Sequence, residues 1–343
     1  MTQNTFVFDG HLTAVEPLTV SMKNSQGRLP RNGGIDAPAY WPATTIRGSL
    51  RHAAHRVVLM FNEDNKRPPF DLAEHFMLAQ GVDIVGDIST PADDEVNAEQ
   101  HLREGNPMLS LFGLWGLSSK ANIGNGFPIT TNSTALFGGG ARSIMFERNP
   151  ELLETLDQSE RNRLQVILEE QSLASADIVA LKDKQKELKK QLKTATSDEK
   201  TVLFEQIAAL ASQIQARKDQ KGEARESIRR PIDQYEAICA GTVMEHRMSL
   251  KSVNQIELGF FIAVLLEFAR FPRMGGHQAH NCGLVSGSWE VKTWPPKALS
   301  PVTIGSIAFD GEGFRVEGDA LLSAYDAWCK DVTSSFHKVK DGA

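Results

Sequence analysis

The hydrophobic pattern of the chain predicts an α+β fold carrying large insertions, one of them an α-helical hairpin. Three observations carry that expectation. Apolar residues follow strand-like and then helix-like spacings at both ends of the sequence. Between Pro150 and Arg230 the character changes to dense mixed charge, with few glycines, almost no aromatics and a heptad step. A glycine-rich loop, RMGGHQAHNCGLVSGSWEV, then joins a strongly apolar helix to a strand.

In order, Thr5 to Val20 alternates apolar and polar residues as a strand does, with a break near Glu16-Pro17. Ser21 to Trp41 is rich in Gly, Pro and Asn and reads as a long loop feeding a helix. That helix opens at PATTIRGSLRHAAHR, with Thr44 and Thr45 as N-cap candidates. Ile46, Leu50, Ala53, Ala54 and Val57 form its apolar face. Residues 62–106 read as a polar surface insertion, with seven acids against Arg103 between Asp83 and Glu104. From 107 to 149, apolar runs cut by Gly and Pro read as strands and turns returning to the core. In the 150–230 insertion Ile178, Leu181, Gln185, Leu188 and Leu192 form one seam, and Leu203, Ile207, Leu210 and Ile214 form a second. Two antiparallel helices, with at least one more before them, account for this. The turn lies at Thr194 to Ser197, with Thr196 and Glu199 as a capping box. From 231 to 343 the expected order is a strand from Glu236 to Leu250, a helix from Asn254 to Phe271, the glycine loop and a strand. A strand pair around Asp310 to Gly313 and a helix from Asp319 complete the chain. Without its insertions (62–106 and 150–230), this is the element order of a ferredoxin-like or RRM-like unit formed by 1–61, 107–149 and 231–343.

Bulk properties narrow the class. A chain of 343 residues can bury a sizeable core, and 41% hydrophobic with 23% charged residues is ordinary for a globular protein. The net charge of -6 speaks against indiscriminate nucleic-acid binding but permits a local patch. Met22 to Arg56 is such a patch, with six basic residues against Asp36. Cys239, Cys282 and Cys329 lie far apart without a C-x-x-C, as expected in a reducing cytoplasm. MTQNTFVFDG has no signal-peptide pattern, and the apolar run Leu258 to Phe271 is too short to span a bilayer. A cytoplasmic protein with no membrane partner is expected.

On the first helix Arg47, Arg51 and His55 fall at i, i+4 and i+8. Like charges at that spacing repel by a few tenths of a kcal/mol, so an isolated helix gains nothing from stacking them. An anion along the stripe would supply a reason; a solvated basic face is the alternative. Gly48 costs about 1 kcal/mol against Ala in a helix and would let another backbone approach.

Three local patterns, in order, resemble the RAMP superfamily, the repeat-associated proteins of CRISPR systems. PATTIRGSLR (Pro42 to Arg51) is similar to the family's first motif. EAICAGT (Glu236 to Thr242) is similar to its Glu-initiated strand, with Cys239 where proline is common. MGGHQAHNCGLV (Met274 to Val285) is similar to its glycine loop, with Asn281-Cys282-Gly283 in place of G-x-G. Asn tolerates the left-handed backbone better than other non-glycine residues, so the loop can survive that change.

The resemblance implies an RRM-like palm with a helical insertion at the thumb position. It also implies the backbone subunit of a multi-subunit effector, type IV first and type III second. Such a subunit binds guide RNA, stacks with copies of itself, works beside other effector subunits and presents the guide to a DNA or RNA target strand. The RNA-binding residues expected on this basis are Lys23, Arg28, Arg31, Thr44, Thr45, Arg47, Ser49, Arg51, His55, Arg273, Gly275, Gly276, His277 and His280. Arginines can fork onto phosphate, helix N-termini attract anions, and glycines let backbone N–H groups close on phosphate. No catalytic residue or cofactor is expected. The alternative is a divalent-metal ribonuclease using Mg or Mn at Asp36, whose GGIDA setting resembles the cleavage loop of type III subunits. Asp36 capping a turn or pairing with Arg31 is the plainer reading. His277, His280 and Cys282 could be read as metal ligands, or His280 as a base. A coiled-coil interaction protein is a further alternative. No Walker A, dinucleotide or G-x-S-x-G motif is present.

Overall fold

The computed structural model describes residues 4–20, 28–34, 37–84, 103, 105–114, 116–138, 150–192, 197–219, 234–295 and 297–337. It divides into two compact units, residues 1–137 with 234–343, and residues 138–233.

In the first unit β1 (Asn4–Ala14) leads to α1 (Ala43–Asp64), α2 (Leu72–Gln80) and α3 (Pro107–Phe112). The short strands β2 (Ala121–Ile123), β3 (Phe127–Pro128) and β4 (Thr134–Phe137) follow. The second unit contains α4 (Gln158–Gln191) and α5 (Ser197–Asp219). The first unit resumes with β5 (Tyr235–Ile238), β6 (Val243–Val253), α6 (Gln255–Ala269) and β7 (Val285–Thr293). It ends with β8 (Val302–Asp310), β9 (Gly313–Glu317) and α7 (Asp319–Cys329).

The fold is α+β. An antiparallel sheet runs in the order β2-β6-β1-β7-β8-β9, with β3 also on β6; β4 and β5 form a separate ribbon. The first strand thus lies between the later two, with the early short strands beyond β6, which is the ferredoxin-like arrangement expected from element order. Alternation along β6 buries Met244, His246, Met248 and Leu250 and exposes Glu245, Arg247 and Lys251. On the buried face Phe8 of β1 meets Phe261 of α6 edge-on, with ring centres 5.3 Å apart. Helix α6 is apolar nearly all round and is buried nearly all round, as such a helix must be. Its Gly259 admits α7, since a Cβ there would lie 2.0 Å from the Ala324 carbonyl oxygen.

Several elements differ from expectation. The segment read as a surface insertion contains α2, capped by an Asp71–Glu74 box, with Met77 and Leu78 buried in the main core. Residues 85–102 and 104, most of the acidic run, lie outside the described residues. MLSLF forms a helix rather than a strand: Asn106 caps it, Pro107 begins it and all six of its residues are buried. An apolar run this short has no readable period. The strand expected from Glu236 to Leu250 is two strands, β5 and β6, turned at Gly241 with φ +82. Among the described residues of the second unit a single helix, α4, stands before the turn in place of the expected pair, and a 3-10 turn at Pro150–Leu153 precedes it. The two seams hold: Ile178 and Ile214 are buried, and the other seam residues are half-buried between exposed neighbours. Thr196 of the expected capping box lies outside the described residues. No described helix is long and apolar enough to cross a membrane.

Candidate nucleic-acid interface

Three segments far apart in sequence meet in the first unit: the hairpin preceding α1, strand β5 and the glycine loop preceding β7. In the hairpin Arg31 and Ala39 pair across the strands, and Tyr40 donates its amide to the Pro30 carbonyl at 3.1 Å. Glu236 fastens it. Its carboxylate accepts the Leu29 amide at 2.9 Å and Arg31 Nη1 at 2.9 Å, and Arg31 Nη2 also donates to it. The hydrogen bonds from Arg31 hold the Glu236 carboxyl below its usual range, against the opposing effect of burial. Arg31 therefore pairs with Glu236, a residue more than 200 positions away that local reading could not supply. Arg28 is exposed and makes no ion pair among the described residues. Lys23 and Asp36 lie outside the described residues.

The glycine loop is built against this hairpin's exit. Gly275 has φ +80, and a Cβ on it would lie 2.3 Å from the Thr19 carbonyl oxygen and 2.7 Å from Trp41 Cη2. Trp41 is fully buried, so Gly275 is required by packing. The Gly276 amide donates to the Thr19 carbonyl at 2.8 Å and is spent there. The expectation that these two glycines cradle phosphate is thus corrected: they seat the loop on Trp41 and on the end of the first strand segment. Arg273 is likewise committed, forking onto Glu16 with Nη2 2.7 Å from Oε1 and donating to the Cys282 carbonyl at 2.8 Å. Asn281 is left-handed with φ +55, as its residue type allows, and His277 shares that conformation.

Helix α1 corrects the stripe reading. Its N-cap is Pro42 rather than Thr44 or Thr45, and Asn125 Oδ1 accepts the Ala43 amide at 2.7 Å. Thr44 is exposed, and Thr45 and Ser49 are half-buried. Arg51 is buried and makes four hydrogen bonds to backbone carbonyls: Leu78 (2.7 Å), Met77 (2.8 Å), Gly113 (2.8 Å) and Phe112 (3.1 Å). These oxygens lie at the C-terminal ends of α2 and α3, where helical donors run out and the dipole is negative, and Met77 also accepts the Gly81 amide. Arg47 donates to the same Phe112 carbonyl. The anion that reconciles two arginines four residues apart is therefore a pair of helix ends, not a phosphate. Burial, and then Arg47, bring the Arg51 pKa down to about 10, which leaves it charged at neutral pH. His55 is no part of a basic face. Its Nε2 lies 3.0 Å from His75 Nδ1, and burial with its neighbours lowers its pKa to about 4. Around Gly48 a Cβ would meet nothing within 4 Å, so the close approach expected there is not made by the described residues.

Sequence reading missed a run of near-parallel rings. The β4–β5 register sets Phe137 opposite Tyr235, with ring centres 5.7 Å apart and planes 10° apart. His277 continues it, 4.4 Å from Tyr235 at 11°, and His280 follows at 6.1 Å, tilted by 55°. Tyr235 is held by its hydroxyl, 3.6 Å from Cys282 Sγ, and its pKa is raised to about 12 by burial and by that partner. Phe137 and Tyr235 are 98 positions apart, so only strand pairing shows them as neighbours. His277, His280 and Cys282 do not make a metal site: no set of three His, Cys, Asp or Glu is so placed among the described residues.

The open face of the sheet is different. Asp9, His11, Glu245, Arg247, Glu290 and Lys292 line a groove of about 570 Å³ there. RRM domains stack bases on aromatics at this face. Here the strand positions carry charges of both signs beside one exposed aromatic, Phe127 of β3, with Lys292 bridging Glu290 (2.8 Å) and Asp9 (3.6 Å).

No family model matches the sequence, and no curated protein matches it. The fold is similar to a chain of a solved Type IV-B CRISPR complex, with 14% sequence identity and a TM-score of 0.38 over 87% of this chain and 93% of that one.

Proposed function

We propose that the chain is a guide-RNA-binding backbone subunit of a multi-subunit CRISPR effector, of the type IV branch, with no chemistry of its own. Copies line up along the RNA beside other effector subunits and present it to a DNA or RNA strand, whose sequence is read by base pairing. One observation carries this reading. The hairpin that leads into the first RAMP-like pattern meets the second at Glu236, which accepts from Leu29 and Arg31, and meets the third at Gly275, which packs on Trp41. Arg31 and Arg273 fasten that junction, while Arg47, Arg51 and His55 tie α1 to α2 and α3. Contacts to RNA then fall to Arg28, Thr44, Thr45, Ser49, His277 and His280, together with Lys23. These groups grip backbone and stack bases without reading base identity, which suits a subunit that must accept any guide.

The test is purification from cells making a CRISPR transcript, followed by sizing and sequencing of the bound nucleic acid, with neighbouring genes co-expressed. RNA of uniform length carrying repeat and spacer sequence, with several protein copies per RNA, is expected. A nucleic-acid-free protein under co-expression overturns the proposal. In the same preparation Asp36→Ala is expected to leave target-RNA cleavage and guide retention unchanged. Loss of cleavage with guide retained would favour the ribonuclease alternative.

A further inference from the structure

Resting on the RNA-binding reading, we propose that the Phe137–Tyr235–His277 rings form a stacking site for one unpaired base of single-stranded RNA. Packing alone explains part of the arrangement: Phe137 and Tyr235 are a cross-strand pair, and aromatic pairs stabilise β-ribbons. It does not explain His277. That residue holds a left-handed backbone (φ +55, ψ +27), a conformation that is strained for a non-glycine side chain. Glycine occupies that region freely, and this loop already uses it at Gly275 and Gly283. The strain places an imidazole flat on Tyr235, at 4.4 Å and 11°, in a half-exposed position. Neither the His277 nor the His280 ring nitrogens make a hydrogen bond among the described residues, so their polar edges are uncommitted.

A flat, half-exposed ring run with free imidazole nitrogens fits a planar heterocycle. Base–aromatic stacking tolerates any sequence, because every base has a π-face. The site's own charges are balanced, since Arg31 is paired with Glu236 and Arg273 with Glu16. Exposed Arg28, which makes no ion pair among the described residues, provides a charge for phosphate. The chemistry therefore selects a base on a strand whose backbone is held nearby.

The test uses the full-length chain and short single-stranded RNAs carrying 2-aminopurine at successive positions. Wild type is compared with His277→Gly and His277→Asn, which both suit the left-handed backbone but remove the ring. Wild type is expected to quench the probe at particular positions. Both variants should restore its fluorescence and weaken binding roughly tenfold, the effect of losing one stacked base. The salt dependence of binding should not change, because no phosphate contact is removed. RNA binding with unchanged quenching and affinity in the variants overturns the stacking site and leaves the RNA-binding reading standing. Failure of wild type to bind RNA overturns both. Loss of stability in both variants would assign the ring to the fold's own packing, and loss of self-association with quenching intact would assign it to a neighbouring copy; either result overturns the proposal.

Discussion

The two units of this protein use charge in opposite ways. In the first, Arg31, Arg51 and Arg273 are drawn inward onto Glu236, two helix ends and Glu16. In the second, Lys182, Lys184, Lys186, Lys189 and Lys190 are exposed. Lys190 reaches Glu187 and Lys189 reaches Gln185 on the same helix, both at 3.5 Å. Their apolar residues differ in the same sense. The first unit buries a continuous core around Phe8, Trp41, Phe260 and Phe309, whereas the described part of the second buries Ile178 and Ile214 along a narrow seam. The lesson is that basic residues in an α+β core can be fasteners, and that charge density in sequence does not tell which cations face a ligand.

Four experiments break or sharpen that contrast. The largest effect is expected from Arg51→Ala. It removes a buried donor from four carbonyls, of which Met77 keeps the Gly81 amide and Phe112 keeps Arg47, and should destabilise the first unit by roughly 3–4 kcal/mol. The urea midpoint followed by tryptophan fluorescence reads this, since Trp41, Trp289 and Trp328 are buried in that unit. Unchanged stability with weakened RNA retention would return Arg51 to the phosphate-binding set.

Next comes Ile214→Ala on the seam, expected to cost about 2–3 kcal/mol of hairpin stability. Helical signal by circular dichroism should fall at lower denaturant while the tryptophan transition stays in place. A single transition moving as a whole would mean that the two units unfold together.

A third effect is set by pH. His246 sits in the core, its Nδ1 accepting from Trp289 Nε1 at 3.1 Å and its Nε2 without a partner among the described residues. Burial lowers its pKa to about 4 from the usual 6.5. The folded state thus resists a proton that the unfolded chain accepts. Stability is full above about pH 6.5 and declines as pH falls toward 4, by on the order of 2 kcal/mol at pH 5. His55, with a pKa also near 4, acts in the same direction. His246→Phe should flatten the profile of urea midpoint against pH; an identical slope in the variant would remove His246 as its cause.

The smallest effect is a gain. Gly48→Ala should stabilise the free protein by about 1 kcal/mol through helix propensity, because its Cβ has open space. Within an assembled complex the same methyl would crowd any backbone that approaches α1. Weaker assembly with a raised melting temperature would show that such an approach occurs.

Much of this architecture was legible from local spacing. The apolar face of α1, the all-round apolar α6 with its Asn254–Glu257 capping box, and the α7 start at Asp319 follow from periodicity and capping chemistry. The hairpin seam follows from its heptad step, and the left-handed Asn281 follows from its residue type. Local spacing reports which residues share a face of one element. It carries no information on what packs against that face, and this is where the reading of the site changed. Whether Arg51 meets solvent or the ends of α2 and α3, whether Gly275 serves an anion or Trp41, and whether Phe137 has a partner at all depend on segments tens to hundreds of residues away. The sequence by itself determined the long periodic elements and the motifs, but not the short helices α2 and α3. Tertiary structure alone decided which motif residues became internal fasteners, because burial and the pairing of backbone carbonyls are settled only when distant elements meet.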